Sequence, residues 1–283
     1  NCTTLTASVL EVGETDTYSV SSIPYNPPYP YNQGTNTIVG QDDTWGNVIN
    51  LGFNFCFFGN TYSQIIIGAN GLVSFDLSNA NSWCEWQFTN TIPNANDEPY
   101  RNSINGAYHD MDPSVGGNIK YSILGSYPCR TFVVNFNNVP HFACNSITTT
   151  QQIVLYETTN VIEVYIDDKP TCNSWNSGNA VIGIQNTAGT VGYTPPNRNT
   201  GPWSASNEAW RFTPSGPSIC SVNWFQEGDP NPISTYDTVT VCPSSPINYI
   251  AVVTYTRCDQ SLVIEKDTIL MDAGIQQGNT LDT

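Results

Sequence analysis

The stretch QQIVLYETTNVIEVYI, residues 151–166, places two runs of β-branched, aromatic and aliphatic residues on either side of Thr158-Thr159-Asn160. Short runs of this composition around a tight polar connection read as a β-hairpin. Such a hairpin brings its open ends together, so Cys144 and Cys172 come within reach of a disulfide. The same signal recurs outward in both directions: NVINLGFNFCFF, YSQIIIG, LVSFDL, NIKYSIL, RTFVVNFNNV, AVIGIQN and AWRFTP are short, strand-like and separated by turn residues. No stretch carries a helical period beyond a turn or two. The chain therefore reads as all-β, with residues 1–213 forming an antiparallel β-sandwich.

A boundary follows at PSGPS, Pro214–Ser218, where two prolines and a glycine punctuate the chain. Beyond it CSVNWFQEG, TVTVC, NYIAVVTYTRC and LVIEKDTIL predict a smaller immunoglobulin-like β-sandwich over 214–272. The polar residues 273–283 read as a linker or the start of a next repeat. Within the second module Cys242 and Cys258 bracket a strand and are expected to pair. Cys2, Cys56, Cys84, Cys129 and Cys220 are left unassigned by the sequence.

Eight basic residues against 24 acidic ones give a net charge of −16, which disfavours phosphate backbones and anionic lipid as partners. Charged residues make up only 11%, under half the roughly 25% usual in soluble domains, so solubility rests on Asn, Thr, Ser and Gly as in many exported proteins. Nine cysteines without a CxxC pair, and two histidines in all, favour disulfides in an oxidising compartment over structural zinc. No apolar run reaches the length of a membrane-spanning helix, so neither nucleic acid nor direct membrane insertion is expected.

Taken in order, LGFNFCFFGNTYSQIIIGANGLVSF, INGAYHDMDPSVGGNIKYS, TFVVNFNNVPHF, QQIVLYETTNVIEVYI and AVIGIQNTAGT resemble a nidogen-type extracellular β-domain. The version resembled most opens very large surface proteins of Bacteroidetes. DTVTVCPSSPINYIAVVTYTRCDQSLVIEKDTI is similar to the immunoglobulin-like or polycystic-kidney-disease-type repeats that follow in them. The resemblance implies a secreted cell-surface adhesin, exported by the type 9 route and tied in some members to gliding motility. Its tip domain would contact an external surface, glycan or protein receptor, while following repeats of the same polypeptide form a filamentous stalk. The alternatives are a secreted carbohydrate-binding module or accessory domain of a glycan-degrading protein, and a purely structural stalk segment. DTV and DTI, centred on Thr238 and Thr268, are similar to the O-glycosylation sequon of these bacteria.

Four constellations are candidates for chemistry. In YHDMDPSVGGN, Asp110 and Asp112 share one face of an extended segment, and a hard cation such as calcium suits two carboxylates beside a carbonyl-rich turn. The plainer reading has Asp112 opening an Asx-type turn before Pro113 while Asp110 accepts local backbone N–H groups. In GQDDTWGN, Asp42, Asp43 and Trp45 suit a sugar-stacking site or a solvated loop whose Trp plugs the sandwich end. Tyr25, Tyr29 and Tyr31 lie in a proline-rich loop, where rigid rings suit either a binding surface or a cover for the ends of a large sandwich. Trp86 and Trp175, each near a cysteine, are expected to pack against a disulfide. Catalysis is not expected: His109 and His141 lack a nucleophile at GxSxG spacing, and Glu157 and Glu163 read as solvent-face strand residues.

Overall fold

The computed structural model describes residues 2–38, 40–96 and 99–272, together with the backbone of the strand Thr280–Asp282. The chain forms two compact units, Thr15–Pro214 and a second built from Asn1–Glu14 with Ser215–Thr283. Apart from Thr280–Asp282, the expected linker at 273–283 lies outside the described residues.

The larger unit packs two antiparallel sheets face to face. One runs, strand by neighbouring strand, Tyr18–Ser22, Ala205–Pro214, Ile162–Lys169, Cys144–Tyr156, Thr131–His141, Asn118–Leu124 and Thr35–Thr37. The other runs Gly192–Tyr193, Asn179–Gln185, Ser103–Tyr108, Leu72–Ser74, Asn60–Gly68 and Ile49–Phe57, with Asn199–Pro202 also on Asn179–Gln185. The hairpin at 151–166 forms as its sequence requires, with Ile153 opposite Val164 and Leu155 opposite Ile162. Alternation then divides the faces. Phe132, Val134, Phe136, Ile153, Leu155, Ile162 and Val164 point into one apolar core with Ile65, Ile67, Val73, Ile104, Ile182 and Ile184 of the opposing sheet.

The other face of the first sheet is covered as well. Val133, Val154, Tyr165 and Ala209 form a second apolar layer under Ile23, Tyr25 and Tyr29. That roof is the proline-rich loop. Tyr25 donates to Asp167 Oδ1 at 2.6 Å, Tyr25 and Tyr31 hydroxyls pair at 3.0 Å, and Tyr29 and Thr131 hydroxyls pair at 2.8 Å. Of the two readings of these rings, the covering one describes their place: they are turned down onto the sheet and not outward as a binding surface, because the proline-stiffened loop brings its apolar faces over otherwise exposed valines.

The roof also changes the setting of the two strand glutamates expected in solvent. Glu163 does alternate away from the main core, but under the loop it is only 1% exposed. It accepts from Tyr156 and Tyr165 hydroxyls at 2.6 and 2.7 Å and from Arg211 Nε at 2.7 Å, Arg211 lying directly opposite in register. Glu157 is likewise buried and takes Arg130 Nε at 2.7 Å and its backbone N–H at 3.1 Å.

The smaller unit closes two three-stranded sheets over Leu5, Ala7, Val222, Trp224, Val241, Ala251, Val253 and Ile269. Thr3–Ser8 pairs antiparallel with Thr238–Val241 and parallel with Thr280–Asp282. The first fourteen residues therefore belong to this unit and not to a 1–213 sandwich. The pairing Thr3↔Val241 sets Cys2 beside Cys242, and these two are bonded with Cα atoms 4.1 Å apart. Cys242 accordingly does not pair with Cys258, since the ten-residue strand Ile247–Thr256, roughly 30 Å long, carries the chain away from Cys242 first. In the larger unit Cys144 and Cys172 are bonded at the open end of the hairpin. Cys84, Cys129 and Cys220 are free thiols. No described helix is long and apolar enough to cross a membrane. Thr238 and Thr268 are both exposed.

Candidate functional site

Asn70, in the ANG turn between Asn60–Gly68 and Leu72–Ser74, organises one end of the larger unit. It is fully buried. Its amide nitrogen donates to Asp43 Oδ1 at 2.9 Å and to the Cys84 carbonyl at 3.2 Å, while its Oδ1 accepts the Met111 N–H at 2.9 Å and its carbonyl the His109 N–H at 3.2 Å. One side chain thus ties DDTW to HDMD, segments in which Asp43 and Asp110 stand 67 residues apart. The turn needs the following glycine: Gly71 has φ +90°, and a Cβ there would lie 2.6 Å from the Ala107 carbonyl oxygen.

The two acidic motifs consequently meet. Asp42, Asp43 and Asp110 each place a carboxylate oxygen within 4.8 Å of the others. Each carboxylate is also held by one donor. Asp42 Oδ1 accepts the Asp43 N–H at 2.9 Å, Asp43 Oδ1 accepts Asn70, and Asp110 Oδ2 accepts the Trp175 indole N–H at 2.6 Å. Asp110 is 6% exposed, and its Oδ1 is buried without a hydrogen-bond partner. Burial, reinforced by the neighbouring carboxylates, pushes Asp42 up to about 6 and Asp110 up to about 7, the Trp175 bond opposing the rise at Asp110. Asp43 is raised too, again mainly by burial.

Asp112 takes a different role from Asp110. Its Oδ1 accepts the Ser114 N–H at 2.9 Å and the Ser114 hydroxyl, which is the Asx turn that a residue before Pro113 favours. The paired-carboxylate reading of 110 and 112 is therefore corrected: Asp110 joins Asp42 and Asp43, whereas Asp112 shapes the loop. Trp45 is 1% exposed and packs edge-on to Tyr100 with centroids 5.1 Å apart, so it plugs the sandwich and offers no face to a sugar. Trp175 packs on Trp86 at 5.3 Å and on Phe142 at 4.8 Å, forming an aromatic wall beside Asp110.

Both histidines are buried, 5% and 2% exposed, and both bond through Nε2 to the hydroxyl of Thr149, at 3.0 and 2.8 Å. Burial lowers both, His109 well below the ordinary imidazole value and His141 to about 4. The cavity they share with Asp110, Lys169 and Trp175 measures about 10 Å³, room for no more than roughly one water.

A larger groove opens on another side of the same loop. It has a volume of about 490 Å³ and is lined by Asn36, Gln41, Thr44, Asn47, Asn81 and Tyr121 among others, with no charged side chain in its described lining. Asn36, Gln41, Asn47 and Asn81 are exposed. Nearby, Trp83 is 58% exposed and bridges to Thr44. The sequence held no signal for this groove, because its walls come from four separate segments and amides have no periodicity.

A family model described as NIDO related matches residues 17–215. The chain belongs to the NIDO-related family. The match coincides closely with the larger unit, Thr15–Pro214, so the acidic cluster, the histidine pair and the amide groove all lie inside the NIDO-related domain. No curated protein and no solved structure matches the chain.

Proposed function

We propose that this NIDO-related chain is a non-catalytic adhesive region of a secreted cell-surface protein, and that the larger unit contacts a neutral glycan through the amide-lined groove. The groove carries the reading. Its volume falls in the range of small-ligand sites, and exposed amides and hydroxyls with the Tyr121 ring match sugar hydroxyls without demanding charge. Burial of both histidines in a cavity of water size supports binding over turnover. The disulfides fit an oxidising compartment. In this reading the smaller unit is an immunoglobulin-like repeat of a stalk that holds the tip outward, in a protein of type 9 secretion associated with gliding or surface attachment, with Thr238 and Thr268 open to glycosylation.

A glycan array followed by calorimetry tests the proposal. Binding to a neutral glycan, abolished in Asn47→Ala/Asn81→Ala and retained in a Tyr25→Phe control, supports it. Absence of binding to any glycan, or binding unaffected by the groove variants, overturns it. Glycan binding without cell attachment in an adhesion assay would favour the accessory carbohydrate-binding role instead.

A further inference from the structure

We propose that Asp42, Asp43 and Asp110 form a binding site for a hard divalent cation, calcium being the best fit, that cross-links the loop before Ile49–Phe57 to the loop after Ser103–Tyr108. This rests on the geometry of the cluster alone and not on the adhesive reading. Three carboxylate oxygens converge within 4.8 Å, a spacing that suits oxygens shared around one ion with ligand distances of about 2.3–2.6 Å.

The decisive observation is Asp110. It is more than nine-tenths buried, its Oδ1 has no hydrogen-bond partner, and it belongs to a group whose other members are also acids. A buried carboxylate oxygen is ordinarily satisfied, and leaving it bare among like charges is costly. A divalent cation supplies the missing partner and offsets the repulsion together. The arrangement of donors agrees: each carboxylate has one oxygen fixed by an N–H from Asp43, Asn70 or Trp175, which orients it as outer hydrogen bonds orient metal ligands. Among the described residues of this unit, the ion pairs Arg130–Glu157, Arg198–Glu208 and Arg211–Glu163 involve none of these acids. Three carboxylates leave three to five positions of a calcium shell for carbonyls and water, and Asp42, only partly buried, marks the side open to solvent.

Trp175 provides a direct readout, since its indole nitrogen is 2.6 Å from Asp110 Oδ2. The full chain, stripped with chelator, is titrated with terbium while tryptophan is excited, and calcium is then added as competitor. Sensitised terbium emission that calcium displaces is expected. Asp110→Asn and Asp42→Asn should reduce it at least tenfold, Asp112→Asn should retain it, and Trp175→Phe should weaken emission, leaving what Trp45 and Trp86 sensitise, yet keep the thermal response to calcium. Calcium at a hundred times its Kd should raise the melting temperature of the larger unit by roughly 5–10 °C. In chelator Asp110→Asn should melt at or above the wild-type temperature, because an amide removes the repulsion, and this separates loss of binding from loss of fold. Absence of sensitised emission together with a melt indifferent to millimolar calcium overturns the proposal, as does emission that survives both Asp42→Asn and Asp110→Asn.

Discussion

Replacing Glu163 with alanine should destabilise the larger unit by about 3 kcal/mol, a value that follows from its three donors. Hydrogen bonds to a charged acceptor contribute roughly 1.5–3 kcal/mol each, so the gross loss is about 4.5–9 kcal/mol. Much of that is recovered. The Arg211 side chain is 45% exposed and rehydrates, and the half-buried Tyr156 hydroxyl can turn to water. Tyr165, 5% exposed, cannot, and its stranded hydroxyl retains a penalty of about 1–3 kcal/mol to which the lost methylenes add. Glu163→Gln keeps the volume and one acceptor, and should cost only about 1–2 kcal/mol. For a unit spanning Thr15–Pro214, a 3 kcal/mol loss corresponds to roughly 6–12 °C in melting temperature. Urea unfolding followed by tryptophan emission measures it, because Trp210 pairs in register with Val164 beside the carboxylate. If Glu163→Ala unfolds within 1 kcal/mol of wild type, or if alanine and glutamine cost the same, the roofed network contributes nothing as a charged acceptor.

Further expectations follow from other buried groups. Asn70→Ala should cost about 2–4 kcal/mol, since it strands the Met111 N–H, and should abolish calcium-displaced terbium emission; a stable variant that still sensitises terbium would show that Asn70 does not organise the cluster. Lys169, 1% exposed, donates to the Trp203 carbonyl at 2.7 Å, and burial with Arg198 nearby lowers it to about 7. Because the unfolded chain binds this proton up to about pH 10.4 and the fold releases it near 7, stability relative to Lys169→Met should rise between those values and be flat below; a constant difference from pH 7.5 to 9.5 refutes the assignment. Removing the Cys144–Cys172 bridge by double serine substitution should cost roughly 3–4 kcal/mol for a separation of 28 residues, read as a lowered urea midpoint. Exposed Cys129 should react with a thiol reagent in the native protein and buried Cys84 only after unfolding, and equal rates would contradict their placement.

By itself the sequence determined what depends on neighbours along the chain. Alternation over 131–136 and 151–166 sets which residues face the core, the turn at 158–160 sets the hairpin and brings Cys144 to Cys172, and Asp112 before Pro113 sets the Asx turn. Each is a local rule with a period or a spacing. The alternation of Glu163 was legible too, but its burial was not, since that depends on a loop more than 130 residues earlier in the chain folding over the sheet. The same limit holds for the ends of the molecule. Thr3–Ser8 pairs with a strand some 235 residues later, and no local signal distinguishes that partner from the nearer strands. Tertiary structure alone decided that Asp110 leaves Asp112 and joins Asp42 and Asp43, and the physical reason is Asn70. A buried amide must satisfy both its donor and its acceptor, and here the groups within reach belong to two segments that sequence keeps apart.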